Sequence, residues 1–193
     1  VWAFLALLTA VAAVRLAELA RSARNRRALT ADGARAVDEP HFVWMAALHA
    51  AVLIGAAVEV VALRRPFVAA LAWPAAALVA ISMGVRWWVI HTLGRHWNVA
   101  IMDSTAHDVV DGGPYRWVRH PNYAAVFVEM LALPLVHTAW ITAVAGSIAH
   151  VFVLRERIAR EEQVLHASPA YRARMGHKPR FWPSPSSRPQ RPR

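Results

Sequence analysis

The sequence predicts an all-α integral membrane protein, a helical bundle of about five transmembrane helices. Its apolar residues come in long unbroken blocks rather than at amphipathic period, which reads as membrane spans and not as the core helices of a soluble domain. The composition agrees: 57% of the 193 residues are hydrophobic. The 22 basic residues outnumber the 12 acidic ones, and most of them gather in the polar segments between blocks, as the positive-inside rule requires of one membrane face.

The first span covers 1–19. It continues into Arg15 and Glu18 with no small-residue cleavage site, so it reads as a span and not as a removable signal peptide. Arg15 and Glu18 are spaced i,i+3 and can pair on one helix face. The polar, basic stretch 22–39 carries Arg24, Arg26, Arg27 and Arg35, and its Gly33 and Pro40 mark a loop. The second span is 43–63. A short turn through Arg64, Arg65 and Pro66 leads to the third, 67–90, where Arg86 snorkels or lines a cavity.

After the polar segment 91–122, the apolar run 124–154 is too long for one span. It suits two short helices, 124–136 and 139–154, with Pro134 and His137 at the hairpin. Each arm reaches only about 24 Å at 1.5 Å per residue, short of a hydrocarbon core of roughly 30 Å. A charged amphipathic helix, 155–165, follows. One membrane domain thus spans 1–182, and the tail 183–193, rich in Pro, Ser and Arg, is expected to be disordered. With the N-terminus outside, the basic segments face the cytoplasm of a bacterial inner membrane, and only Arg64 and Arg65 lie opposite.

Several chemistries are excluded or disfavoured. The absence of cysteine removes disulfides, thiolate zinc sites and a cysteine nucleophile. His41, His49, His91, His96, His137 and His150 show no metal-ligand spacing, so no metal is expected. The net charge of +10 fits anionic lipid as a partner. Nucleic acid is not expected, since no basic stripe with interleaved aromatics is present.

Two segments can carry chemistry. In GPYRWVRHPNY, 113–123, Gly112 and Gly113 allow close backbone approach or positive φ. Pro121 forces His120 away from α geometry, setting Arg119 and His120 on a rigid corner at the membrane surface. A basic cap on a helix start explains that corner as well as an active site does. In RERIAREEQVL, 155–165, Arg157 and Glu161 are i,i+4 and share a face. An ordinary surface ion pair is the plain reading. Placed beside the Arg119 corner, the two groups can instead hold a zwitterionic cofactor and an anionic head. Glu59 and Glu129 lie inside spans, so each faces the bundle or a polar cavity, and helix packing explains both better than catalysis.

On these residues the chain resembles the isoprenylcysteine carboxyl methyltransferase family over roughly 91–183. The resemblance rests on HDVV (His107 to Val110), Gly113 with Tyr115, RHPNY (Arg119 to Tyr123), the segment from Arg157 through Glu161 and Glu162 to Leu165, then Tyr171 and PRFWP. It implies S-adenosyl-L-methionine as cofactor. His107, Val109 and Val110 would line that site; Gly113, Tyr115, His120, Pro121, Asn122 and Tyr123 would complete it. Glu161 would hold the amino group or ribose, supported by Glu162. Arg119 and Arg157 would lie on the substrate side with Glu129, and Arg157, Arg119 and His120 would be the catalytic set. Asp108 and Arg160 depart from the family pattern. The segment 15–29 is similar to a bacterial branch that methylates long-chain alkylpyrones or alkylresorcinols and is associated with type III polyketide synthases.

The implied reaction is O-methylation of a lipophilic acceptor with an anionic head: a prenylcysteine-type carboxylate, or an alkylpyrone or alkylresorcinol hydroxyl. A sulfonium and an oxyanion lose charge as they approach, which a water-poor site favours. Arg157 and Arg119 would orient the head, and His120 would take the proton of a phenol. The competing readings are a phospholipid N-methyltransferase, an NADPH-dependent membrane reductase sharing the GxYxxxRHPxY end, and a non-catalytic membrane protein.

Overall fold

The computed structural model describes residues 1–37, 42–103 and 109–183, with Phe42 described through its backbone only. Six α-helices follow in order: α1 Trp2–Ala31, α2 Phe42–Ala62, α3 Ala69–Leu93, α4 Pro121–Leu135, α5 Trp140–Ala167 and α6 Pro169–Met175. Short 3-10 turns at Gly94–His96 and Gly113–Arg116 flank the segment between α3 and α4. Two two-residue strands, β1 Arg35–Ala36 and β2 Met102–Asp103, pair antiparallel with Arg35 opposite Asp103.

The all-α membrane architecture agrees with the sequence. Among the described residues three helices, α1, α2 and α3, are long and apolar enough to cross a membrane. Their apolar windows are no more than 28% buried; Trp2, Ile54, Trp73, Ile81 and Trp87 all face outward. Such an outward apolar surface is stable only against lipid. α4 is a shorter apolar helix of 15 residues, about 22 Å long.

Two boundaries differ from the sequence expectation. The polar stretch after the first span does not begin a loop at Ser22, because α1 runs on to Ala31. Its Ala, Arg and Leu residues favour helix, and no breaker intervenes before Gly33, whose φ is +93°. Ser22 and Asn25 also anchor this extension: the Asn25 amide donates to the carbonyls of Gly94 and Trp97, and the Ser22 hydroxyl accepts from the Val99 N–H at 2.9 Å. Likewise the charged segment 155–165 is not a separate helix but the second half of α5, since nothing between Leu154 and Arg155 interrupts the backbone ladder.

The α4–α5 hairpin is where Pro134 and His137 mark it, with Thr138 at φ +56°. Glu59 fastens this end of the bundle. Its carboxylate accepts from the N–H groups of Ile141 and Thr142, from the Thr142 hydroxyl at 2.8 Å and from Arg65. The glutamate therefore caps the start of α5 and holds α2 against it, the packing role expected of it. One apolar core lies near this end, with Phe4, Leu8, Val11, Ala56, Val60, Val79 and Leu133 buried together. α2 and α5 approach closely: a Cβ on Gly146 would stand 2.6 Å from a Val52 methyl, the small-residue contact typical of membrane helices.

Candidate active site

The other end of the bundle is charged, and the two chemistry-bearing segments meet there. Pro121 opens α4, and His120 before it has a non-helical φ of −126° and ψ of 56°. The His120 side chain does not cap the helix. It turns to α5, where its Nε2 lies 3.0 Å from Glu162 Oε1. Arg119 reaches the same carboxylate at 3.2 Å, and Arg180 donates to both Glu162 oxygens, the closest contact being 2.5 Å. Burial opposes ionisation of Glu162, but the hydrogen bonds from Arg180 and His120 and the charge of Arg119 outweigh it and hold the carboxyl at about 2.

Residues 178–180 form a strap over this corner. The N–H groups of Arg119 and His120 donate to the carbonyls of Pro179 and Arg180, both at 2.9 Å. The buried Lys178 ammonium donates to the Tyr115 carbonyl at 2.8 Å. Gly113 turns the preceding chain at φ +54°, and a Cβ there would strike the Thr92 side chain, so this glycine is required on two counts. Tyr115 packs beside Val89, Ile90 and Trp97. Burial, then the negative charge of Glu161, hold its phenol well above the usual tyrosine range.

Arg157 and Glu161, one turn apart on α5, are joined through α4. The Tyr123 hydroxyl donates to Glu161 at 2.5 Å and accepts from Arg157 Nε at 2.8 Å. Arg157 also donates to the Val99 carbonyl. This bridge stands in the wall of a cavity of about 520 Å³, within the range typical of small-molecule sites. Of the residues singled out in the sequence, Val109, Val110, Tyr115, Arg119, His120, Asn122, Tyr123, Arg157 and Glu161 line it. Gly113, Pro121 and Glu162 stand behind that lining and shape it. Glu129 is not in the lining; its carboxylate is held by Arg15, which is. His107 lies outside the described residues.

The N-terminal half supplies a part of the wall that the motifs did not reveal. Arg15 pairs with Glu18, as its spacing predicts, and Glu18 also accepts from Arg86 at 2.6 Å. Arg86 donates onward to the Asn122 side chain at 3.2 Å, which ties α1 and α3 to the corner at the start of α4. The segment 97–102 lines the cavity too; no motif announced it, and its only sequence signal was a polar run after the third span. From this charged end the cavity continues inward past His49 on α2 and His150 on α5. Leu16 and Leu19 of α1, which line it together with Met45, Ala46 and Ala50 of α2, stand exposed, so the cavity communicates with the outer surface along these two helices. Among the described residues no group of three or more His, Asp or Glu could hold a metal ion.

The donor set suits a sulfonium nucleoside. A carboxylate beside two tyrosine rings attracts a cation, and apolar walls with a few fixed polar groups exclude water.

Comparison with known proteins agrees in extent with these elements. The model of a family described as isoprenylcysteine carboxyl methyltransferase (ICMT) matches residues 75–167. An uncharacterised protein of Bacillus subtilis, YpbQ, is 32% identical over 152 residues, which is 78% of this chain and 89% of the relative. An uncharacterised Haemophilus influenzae protein is 27% identical over 156 residues, 80% of this chain and 90% of that protein.

Proposed function

The chain belongs to the isoprenylcysteine carboxyl methyltransferase family, a family of membrane methyltransferases, and on that premise we propose that it transfers a methyl group from S-adenosylmethionine to an oxygen of a lipophilic acceptor. The observation that carries this reading is the Arg157–Tyr123–Glu161 bridge in the wall of a cavity that is polar at one end and communicates with the outer surface along α1 and α2 at the other. A soluble cofactor is suited to the polar end, and an alkyl or prenyl chain to the opening.

In this proposal Glu161 holds the cofactor's amino group or ribose hydroxyls, and Tyr115, Tyr123, Asn122, Val109 and Val110 enclose the rest. The cofactor supplies an electrophilic methyl on a positively charged sulfur. Arg157, fixed by Tyr123 and the Val99 carbonyl, orients the oxygen of the acceptor from the other side, so the chain contributes mainly position and a dry surface. Arg119 sets the corner through Glu162. His120, which lines the cavity and is held by Glu162 through Nε2, takes the proton that a phenolic or enolic hydroxyl loses as its oxygen is methylated. The acceptor is a carboxylate or a phenolic or enolic hydroxyl of a long-chain alkylpyrone or alkylresorcinol. The active end faces the cytoplasm of a bacterial inner membrane.

Calorimetric titration of the detergent-purified protein tests the reading. S-adenosylhomocysteine should bind at micromolar concentration and NADPH should not. Binding of NADPH alone would make the protein a reductase, and binding of neither would remove the enzyme assignment.

A further inference from the structure

The guanidinium groups lining the cavity already have partners. Arg15 is paired with Glu18 and Glu129, Arg86 with Glu18, and Arg119 with Glu162. Arg157 reaches Glu161 through the Tyr123 hydroxyl. An anionic head group at Arg15, Arg86 or Arg119 would have to displace one of these carboxylates, whereas at Arg157 it would meet the Tyr123 hydroxyl and the Val99 carbonyl, which hold that side chain directly.

Deeper in the same cavity is a polar group of the opposite kind. His150 is 2% exposed, and among the described residues neither of its ring nitrogens has a hydrogen-bond partner. It lies seven residues before Arg157 on α5, hence on nearly the same face and about 10 Å further into the bundle. The ring of His49 stands edge-on to it, with centroids 5.5 Å apart at 89°. Phe127 stacks on the His150 ring. His49 Nδ1 is 2.7 Å from the Met45 carbonyl. A carbonyl only accepts, so Nδ1 carries the proton and Nε2 of the neutral ring offers a lone pair. A buried polar ring without a partner is costly, and a second imidazole beside it makes a pair that can both donate and accept. A hydroxyl does the same. A carboxylate only accepts and would confront the His49 lone pair.

We propose that His49 and His150 form a hydroxyl-binding subsite in the membrane-embedded part of the cavity, which favours a lipid that carries a hydroxyl at that depth over one that carries a carboxylate there. This rests on the methyltransferase reading above and bears on the lipid that the cavity takes.

The test measures binding by the full-length protein in detergent, with S-adenosylhomocysteine present, of three probes that carry the same tail: 4-dodecylphenol, its methyl ether and dodecanoate. The wild type should bind the phenol about tenfold more tightly than either of the others, as expected for one to two hydrogen bonds. His150→Phe, which keeps a ring against Phe127, and His49→Leu, at the less buried partner, should each reduce the preference to about twofold and leave S-adenosylhomocysteine affinity unchanged. Dodecanoate binding as tightly as the phenol overturns the subsite, and so does a preference that persists in both variants. If the wild type fails to bind S-adenosylhomocysteine, the parent reading falls instead, and the two failures are told apart by that one titration.

Discussion

Tyr123 decides what the charges on α5 do. Spacing alone places Arg157 and Glu161 one turn apart, but the hydroxyl that joins them comes from α4, and a bond between residues 34 and 38 positions apart leaves no trace in local pattern. The same holds for Glu129: its intramembrane position announced a buried partner, yet Arg15 lies 114 residues away. Replacing Arg157 by Ala should remove a charge-assisted bond of about 2 kcal/mol and lower the rate of methyl transfer roughly 30-fold. S-adenosylhomocysteine affinity should change little, and transfer from a labelled methyl donor compared with calorimetry separates the two effects. Glu162 carries a prediction of a different kind. Its carboxyl falls from the ordinary 4.5 to about 2, so its contribution is fully present above about 4.5 and disappears as pH falls towards 2. Tryptophan fluorescence of the purified protein should show loosening in that window. Glu162→Gln should abolish that step and lower the melting temperature at neutral pH, because Arg119 and Arg180 lose their carboxylate.

The elements were legible wherever hydropathy changes sharply and illegible where it does not. Pro134 and His137 located the hairpin because proline and a polar residue interrupt an apolar run. The end of α1 was hidden because its stop signal, Gly33, follows ten residues of good helix-forming sequence that look polar rather than helical. What holds that extension is tertiary: Ser22 and Asn25 grip the chain after α3. Of the two glycines at the head of the loop ending at Arg116, Gly113 has the positive φ their presence allows and Gly112 does not. The Thr92 contact that makes a glycine necessary at 113 comes from α3. Gly113→Ala should therefore cost at least 1–2 kcal/mol from the left-handed backbone alone, more with the clash. It should weaken S-adenosylhomocysteine binding as Tyr115 shifts, and a ligand-dependent thermal shift smaller than wild type's would record it. If the variant matches wild type in both melting temperature and ligand shift, the loop does not position the site.

At the scale of the molecule, the order of helices follows from the sequence and their lateral arrangement does not, since lipid-facing and bundle-facing residues are equally apolar. The two ends differ in their charges: Glu59 with Arg65 at one, and the network around Glu162 at the other. The positive-inside rule then predicts orientation. Because the chain has no cysteine, single cysteines report it cleanly. A cysteine at Arg160 should be protected from impermeant maleimide in intact cells and react once they are opened, whereas one at Phe67 should react from outside. The reverse pattern would place the candidate active site on the other face. The strap at residues 178–180 also bears on biogenesis. Among the described residues the N–H groups of Arg119 and His120 find their acceptors in chain that follows α6, so the corner at α4 is completed only once that chain has been made. A nascent chain stalled within α5 would therefore lack the finished corner.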